Sequence, residues 1–297
     1  MSFSHCLLIL LIVLLFHADV PAQLPSPPEG MQWELQVDYS DEFNGLNLDS
    51  TKWMNHHPYW VGRPPAIFLP SQVSVQNGYL QIQNKKLEQD SIYIDRKGDS
   101  LTYSIAGGAV VSKMQNAWYG YYSCRMKASR VSMSSTFWMK NRPFGECSKS
   151  VTELDIIEAI GGAKTYPDFA THMKSNTHIF SYPCEGEKTT FSEGNNAPIG
   201  GHVADDFHTY GAWWKNPNEI LFYIDGVYQF TIHPAQDISE TPFDRPMWIN
   251  MVTETYFWEI PPTAEELADH SRNTTYYDWV RSYQLVPITP EKTSKGN

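Results

Sequence analysis

The chain has 297 residues, enough for one large β-domain or two small ones, and a formal net charge of −11. That charge argues against nucleic acid as a partner, while an anionic polysaccharide would need only a local patch of positive charge. Ten Trp and 17 Tyr are present, a store of aromatic surface that a core and a binding face must share.

Cys6 to Phe16 is an apolar run too short to span a bilayer as a helix. With Val20-Pro21-Ala22 after it, it fits a signal peptide over residues 1–22, cleaved after Ala22, although no Lys or Arg precedes the run. An uncleaved anchor is the alternative. Residues 23–30 form a Pro-rich linker, 31–288 a single domain, and 289–297 a tail. Beyond the leader the cysteines are Cys124, Cys147 and Cys184, so at most one disulfide forms within the chain. Cys124 lies in a strand-like run and reads as a buried hydrophobe. Cys147 and Cys184 lie in loop-like stretches and are the better pair, although sequence does not fix the pairing.

Strand signals then dominate. Val73 to Gln83 reads as a hairpin about Asn77-Gly78. Further strands are expected over Gly108–Lys113, Tyr119–Ala128, Ser134–Lys140, Thr171–Ile179, Phe207–Trp214, Ile220–Asp225, Val227–Ile232, Met247–Thr253 and Tyr276–Val286. Thr263 to Asp269 is the one convincing helix, with Thr263 as N-cap and Glu266 three residues on. Many short strands with few helices predict an all-β fold, a sandwich of jelly-roll type with a concave cleft suited to a polymer.

The most informative stretch is Val151 to Gly162, where Glu153, Asp155 and Glu158 interrupt an apolar strand. Buried carboxylates are costly unless paired or protonated. Glu153 and Asp155 share a face by strand parity, and Glu158 does not. One extra residue at Ile156-Ile157, a β-bulge, would bring Glu158 back to the acidic face. Two glutamates on a concave sheet could then approach to about 5–5.5 Å, the spacing of retaining glycosidases, with Asp155 keeping their pKa values apart. The competing interpretation is three solvated acids on an exposed face, but Leu154, Ile156, Ile157, Ala159 and Ile160 leave little polar surface for one. Trp60, Trp138 and Trp258 are candidate sugar-stacking rings. For any single Trp core packing is the commoner fate, but Phe137 and Trp138 have opposite parity, so only one of them can face the core.

Glu153-Leu-Asp-Ile-Ile-Glu158 resembles the bulged signature of glycoside hydrolase family 16. Ser40-Asp-Glu-Phe-Asn-Gly45, Lys52-Trp53, Ser134-Ser-Thr-Phe-Trp138, Ser175-Asn-Thr-His178 and Tyr277-Asp-Trp-Val280 extend the resemblance over the mature chain. Trp60-x-Gly-Arg63-Pro-Pro, Arg125-Met-Lys and Glu265-Glu-Leu-Ala-Asp resemble the members that cut red-algal galactans, the β-agarases and β-porphyranases. The resemblance implies a secreted, endo-acting, retaining hydrolase of β-1,4 galactosidic bonds. It assigns Glu153 as nucleophile, Glu158 as acid and base, and Asp155 as their tuner. Trp60, Arg63, Trp138, His178 and Glu254 would contact sugar. His178 is equally readable as a hydrogen-bonded structural residue, and Glu254 as a solvated strand end.

Porphyran is slightly favoured over agarose. A sulfate-binding set would be drawn from Arg63, Lys140, Arg142 and Lys149, since sulfate calls for Arg or Lys donors. No cofactor is required for catalysis, and a structural calcium at Gly78 and Asp278 is the one metal the resemblance suggests. The expected partner is the galactan itself, with no nucleic acid, no membrane span after leader removal, and a monomeric state. The alternatives are κ-carrageenase, laminarinase or transglycosylase activity, or a non-catalytic carbohydrate-binding sandwich. The last predicts loss of one of the three acids, and all three are present.

Overall fold

A computed structural model describes residues 23–95, 97–143, 147–235 and 238–289. The leader and most of the C-terminal tail proposed from sequence lie outside these residues. The first strands are β1 (Met31–Leu35), β2 (Trp53–Met54), β3 (Ala66–Phe68), β4 (Val73–Gln76), β5 (Tyr79–Gln83), β6 (Lys85–Ile94) and β7 (Ser100–Ser112). The middle of the chain forms β8 (Gly120–Lys127), β9 (Ser135–Lys140), β10 (Lys149–Ala159), β11 (His172–Tyr182) and β12 (Thr189–Pro198). Then come β13 (His208–Asn216), β14 (Glu219–Ile224), β15 (Val227–Ile232), β16 (Trp248–Thr253), helix α1 (Ala264–Ala268) and β17 (Thr274–Pro287).

These strands form two sheets. The back sheet runs β15-β14-β13-β8-β17-β5-β4, with β1 on β17. The cleft sheet runs β12-β11-β10-β9-β16-β7-β2, with β3 and β6 on β7. Non-consecutive neighbours in both sheets are the mark of the jelly roll. The main core lies between them. Tyr122, Met126, Tyr210, Trp214 and Tyr277 from the back sheet join Phe137, Met139, Leu154, Ile156 and Ile157 from the cleft sheet in one cluster. Residues 23–30 lie against the outer face of the back sheet, where the Trp33 indole donates to the carbonyl of Pro25 at 2.7 Å.

Local chemistry sets the turns. Asn77 and Gly78 have φ of 56° and 79°, the type I′ turn that their sequence calls for between β4 and β5. Thr263 and Glu266 form a full capping box on α1. Cys147 and Cys184 are disulfide-bonded, joining the residues ahead of β10 to those after β11. Cys124 is free and buried in the core.

Candidate active site

The acids sit on β10, the strand that β9 and β11 flank. Against β9, Asp155 faces Trp138 while Ile157 faces Phe137, so Ile156 is the extra residue of a bulge. Ile156 and Ile157 both enter the main core. Two successive inward residues return Glu158 to the face that already carries Glu153 and Asp155. The expected bulge is therefore present, and its cause is local: two apolar β-branched residues are pulled into one core layer. Parity on β9 resolves as anticipated. Phe137 joins the core, and Trp138 faces the cleft with Phe68, Ala109, Val252 and Trp60 around it.

The outer face of this sheet forms a cleft of about 750 Å³. The loop before β3 supplies His57, Tyr59, Trp60 and Arg63, and β9 with its extension supplies Thr136, Trp138, Lys140, Asn141 and Arg142. The three acids form the floor. Phe180 and Tyr182 of β11, Trp248 and Asn250 of β16, Glu254 and Tyr256 just beyond β16, and Pro143 and Val151 complete the lining. Within the loop before β3, Gly62 has φ of 116°, and a Cβ there would lie 2.5 Å from the carbonyl oxygen of Ala66. Glycine is needed at this point for Trp60 and Arg63 to reach the cleft.

Each acid has a different partner. Lys140 Nζ donates to Glu153 Oε2 at 2.5 Å. Tyr256 donates its hydroxyl hydrogen to Glu158 Oε1 at 2.5 Å. Asp155 Oδ2 lies 3.2 Å from His178 Nε2, and His178 Nδ1 is 2.6 Å from the hydroxyl of Ser192. Arg63 Nε lies 3.2 Å from Glu254 Oε2, which places Glu254 in a buried position beside a guanidinium rather than at a solvated strand end.

The electrostatics follow from burial. Burial, then the charges of Glu153 and Glu158, raises Asp155 to about 8, against the opposing pull of His178. Glu158 is raised mainly by burial, partly offset by the Tyr256 hydrogen bond. Burial lifts Glu254 to about 8 despite Arg63. Burial lowers His178, but its hydrogen bond to Asp155 and the surrounding acids outweigh that and leave it raised. His57 is driven down to about 4 by burial and then by Lys140, so a neutral imidazole stacks on Trp138 at 6.2 Å.

Glu153, Asp155 and His178 bring potential ligand atoms within 4.8 Å of one another. Metal binding requires deprotonated ligands. Asp155 holds its proton to about pH 8 and would have to release it to ligate, which makes this set poorly suited to a cation.

The two residues of the calcium expectation have other neighbours in the structure. Asp278 Oδ2 is 2.6 Å from Arg125 Nη1, so its carboxylate is already neutralised. Gly78 occupies the β4–β5 turn beside the Asn44 side chain. Calcium needs six or more oxygens, and these two residues would supply only part of that set.

Of the cations considered for sulfate, Arg63, Lys140 and Arg142 line the cleft and Lys149 does not. Trp258 also stands outside the lining and stacks face to face on Tyr256 at 4.6 Å. Lys174, on the His178 face of β11, pairs with Asp168 instead of substrate-facing groups. Sequence reasoning missed His57, Tyr59, Phe180, Trp248, Asn250 and Tyr256. The aromatics among them look like any others in a chain so rich in rings, and the alternation of β16 gave no hint of which face was wet.

The family model for the GH16 domain of β-porphyranases A–D matches residues 33–285. The chain belongs to this family. It is thereby a glycoside hydrolase of family 16. β-Porphyranase E of Zobellia galactanivorans is 54% identical over 264 residues, covering 88% of this chain and 91% of that protein. β-Porphyranase B of Phocaeicola plebeius is 47% identical over 287 residues, covering 89% and 88%. The crystal structure of the β-porphyranase BpGH16B from the human gut bacterium Bacteroides plebeius superposes with a TM-score of 0.82. The identity there is 45%, over 90% of this chain and 97% of that one. The extracellular agarase of Streptomyces coelicolor is more distant, at 28% identity over 89% of this chain and 87% of that protein. The all-β jelly roll read from sequence is the fold of this GH16 structure.

Proposed function

We propose that this GH16 enzyme cleaves β-1,4 galactosidic bonds within agar-type red-algal galactans, with retention of configuration, and prefers porphyran to agarose. The observation that carries the hydrolytic reading is the bulge that brings Glu153 and Glu158 to one cleft face with unlike partners. Glu153, held by the Lys140 ammonium, is suited to attack the anomeric carbon as a carboxylate. Glu158, buried and raised, is suited to hold the proton that the leaving oxygen needs. The glycosyl–Glu153 ester then breaks as Glu158 takes a proton from attacking water. Asp155 stays protonated near neutral pH and adds no further negative charge between the two glutamates. Trp60, Trp138, Arg63 and Glu254 line the cleft around this centre, the rings as stacking surfaces and Arg63 and Glu254 as polar groups for sugar hydroxyls, while His178 acts on it through Asp155.

The substrate preference has two supports. The more similar relatives are named β-porphyranases, and the agarase is the more distant. Porphyran differs from agarose in its sulfate esters, and the cleft carries a cation that has no carboxylate partner among the described residues. Lys140 is committed to Glu153, and Arg63 lies 3.2 Å from Glu254 and against the Tyr256 ring. Arg142 stacks over Trp248 at 4.6 Å and Tyr59 at 5.1 Å, and no carboxylate pairs with it among the described residues. Secretion is part of the same proposal. A signal-like leader and a disulfide both suit an oxidising, extracytoplasmic compartment.

Reducing-end release from porphyran and agarose, measured side by side with the products sized, tests the proposal. Sulfated oligosaccharides from porphyran at a clearly higher rate are expected. Preferential cleavage of agarose would make the enzyme an agarase and remove the role given to Arg142. Activity on neither would overturn the galactanase reading.

A further inference from the structure

Tyr256 lies beyond β16, in a stretch whose sequence marks it out in no way. It is 6% exposed, and its hydroxyl ends 2.5 Å from Glu158 Oε1. The ring is held by Trp258, stacked at 4.6 Å with 12° between planes, and by the Arg63 guanidinium at 4.9 Å. The backbone is fixed as well. Glu259 N donates to the Tyr256 carbonyl at 3.2 Å. The buried Glu259 carboxylate accepts from the backbone nitrogens of Lys164 at 3.1 Å and Thr165 at 3.0 Å. Those two residues follow β10, so the segment carrying Tyr256 is pinned to the strand that carries Glu158.

We propose that Tyr256 is a positioning residue for Glu158: its hydrogen bond to Oε1 leaves Oε2 to carry the transferable proton and stabilises the carboxylate formed when that proton departs. The proposal rests on Glu158 being the acid and base of the reaction. In the first step Glu153 bonds to the anomeric carbon, the glycosidic C–O bond breaks, and the proton on Glu158 Oε2 passes to the leaving oxygen. In the second, Glu158 takes a proton from water as that water's oxygen displaces Glu153. Tyr256 keeps its own proton throughout, since burial and the adjacent acids Glu158 and Glu254 push the phenol well above its ordinary range.

The energetic logic is differential. A hydroxyl bonded to a neutral carboxyl makes an ordinary hydrogen bond, and the same bond to a carboxylate is roughly twice as strong. The interaction therefore strengthens as the proton leaves, which is when it lowers the barrier. The other charged groups facing Glu158 are Glu153 and Asp155 on its own strand, His178 on β11, Arg63 before β3 and Glu254 after β16. Lys174, paired with Glu158 across the ladder, directs its ammonium to Asp168. Among these, Tyr256 makes the one direct hydrogen bond to the Glu158 carboxyl.

Tyr256→Phe tests this, because it keeps the ring and removes only the hydroxyl. Two substrates are compared by kcat/KM: the galactan, and a nitrophenyl glycoside of a galactan oligosaccharide, whose leaving group departs without a proton. The expected result is a loss of about tenfold or more on the galactan with KM nearly unchanged, and a loss of under about threefold on the nitrophenyl glycoside. The basic limb of the galactan pH profile should move to higher pH, since the lost hydrogen bond is one that lowers Glu158. Equal losses on the two substrates, or a basic limb that stays in place, overturn the assignment of Tyr256. A Glu158→Gln enzyme with wild-type turnover overturns the role of Glu158 itself. The two failures are thus distinguishable.

Discussion

Three acids within six residues each meet a different neighbour. Glu153 has an ammonium, Glu158 a phenol, and Asp155 an imidazole. Glu158→Gln should lower kcat on the polysaccharide by about 10²–10⁴-fold and leave binding nearly intact. Glu153→Gln should abolish trapping of a covalent glycosyl-enzyme by a slow substrate, read by intact-protein mass. Near-normal turnover in either variant would refute the roles assigned. Asp155 also makes a thermodynamic prediction. Its folded pKa, about 8, lies far above its unfolded value near 3.9. The folded state therefore binds the extra proton between those values, and the stability this contributes is full below about pH 4 and lost as pH rises towards 8. Asp155→Asn lacks that loss, so its Tm relative to wild type should increase from pH 5 to pH 8. A gain of at least about 3 °C is expected, the shift that ~1 kcal/mol gives in a domain of this size. A difference independent of pH would show that Asp155 titrates normally.

At the scale of elements, legibility followed amphipathicity. The β4–β5 hairpin was readable from Asn77-Gly78, α1 from its capping box, and the bulge in β10 from the parity of three acids. Strands β6 and β12 were not, because they are exposed along most of their length and held by ladders to β7 and β11. Ser-Glu-Gly-Asn-Asn in β12 carries no alternation to detect. The cleft was legible in part for the same reason. Acids in an apolar strand stand out, whereas Tyr256 and Trp248 acquire their roles through neighbours remote in sequence. Arg142 illustrates how an element's end can be prepared for a ligand. The preceding Asn141 is buried, and its Oδ1 accepts from the backbone nitrogen of Thr152 at 2.6 Å. That ties the chain end of β9 to β10 and sets Arg142 on the Tyr59–Trp248 pair. Arg142→Ala should raise KM on porphyran by about tenfold, the value of a charge-assisted contact, and leave KM on neutral agarose oligosaccharides unchanged. Arg142→Lys should fall between, keeping the charge and losing the planar stack. Equal effects on both polymers would assign Arg142 to general packing.

For the molecule as a whole, both faces of the cleft sheet are in use, the inner one by the main core and the outer one by the active site. Its edge strands must hold β10 in register without a covering layer on the cleft side. The Cys147–Cys184 disulfide stands where that register begins, beside the Lys149↔Tyr182 pair of β10 and β11. It closes a loop of 37 residues. A loop of that size contributes up to about 4 kcal/mol in the chain-entropy account. At roughly 2–4 °C per kcal/mol, the Cys147→Ser/Cys184→Ser double variant should melt on the order of 10 °C below wild type by calorimetry. The catalytic centre lies further along the ladder, where Glu153 pairs with His178 and Asp155 with Asn176. Turnover at 25 °C should therefore stay within about twofold of wild type, because those pairs persist without the bridge. A Tm unchanged by removal of the bridge would mean that the β10–β11–β12 ladder alone fixes this edge. A large loss of turnover at 25 °C would mean that the bridge, and not the ladder, sets the position of the acids.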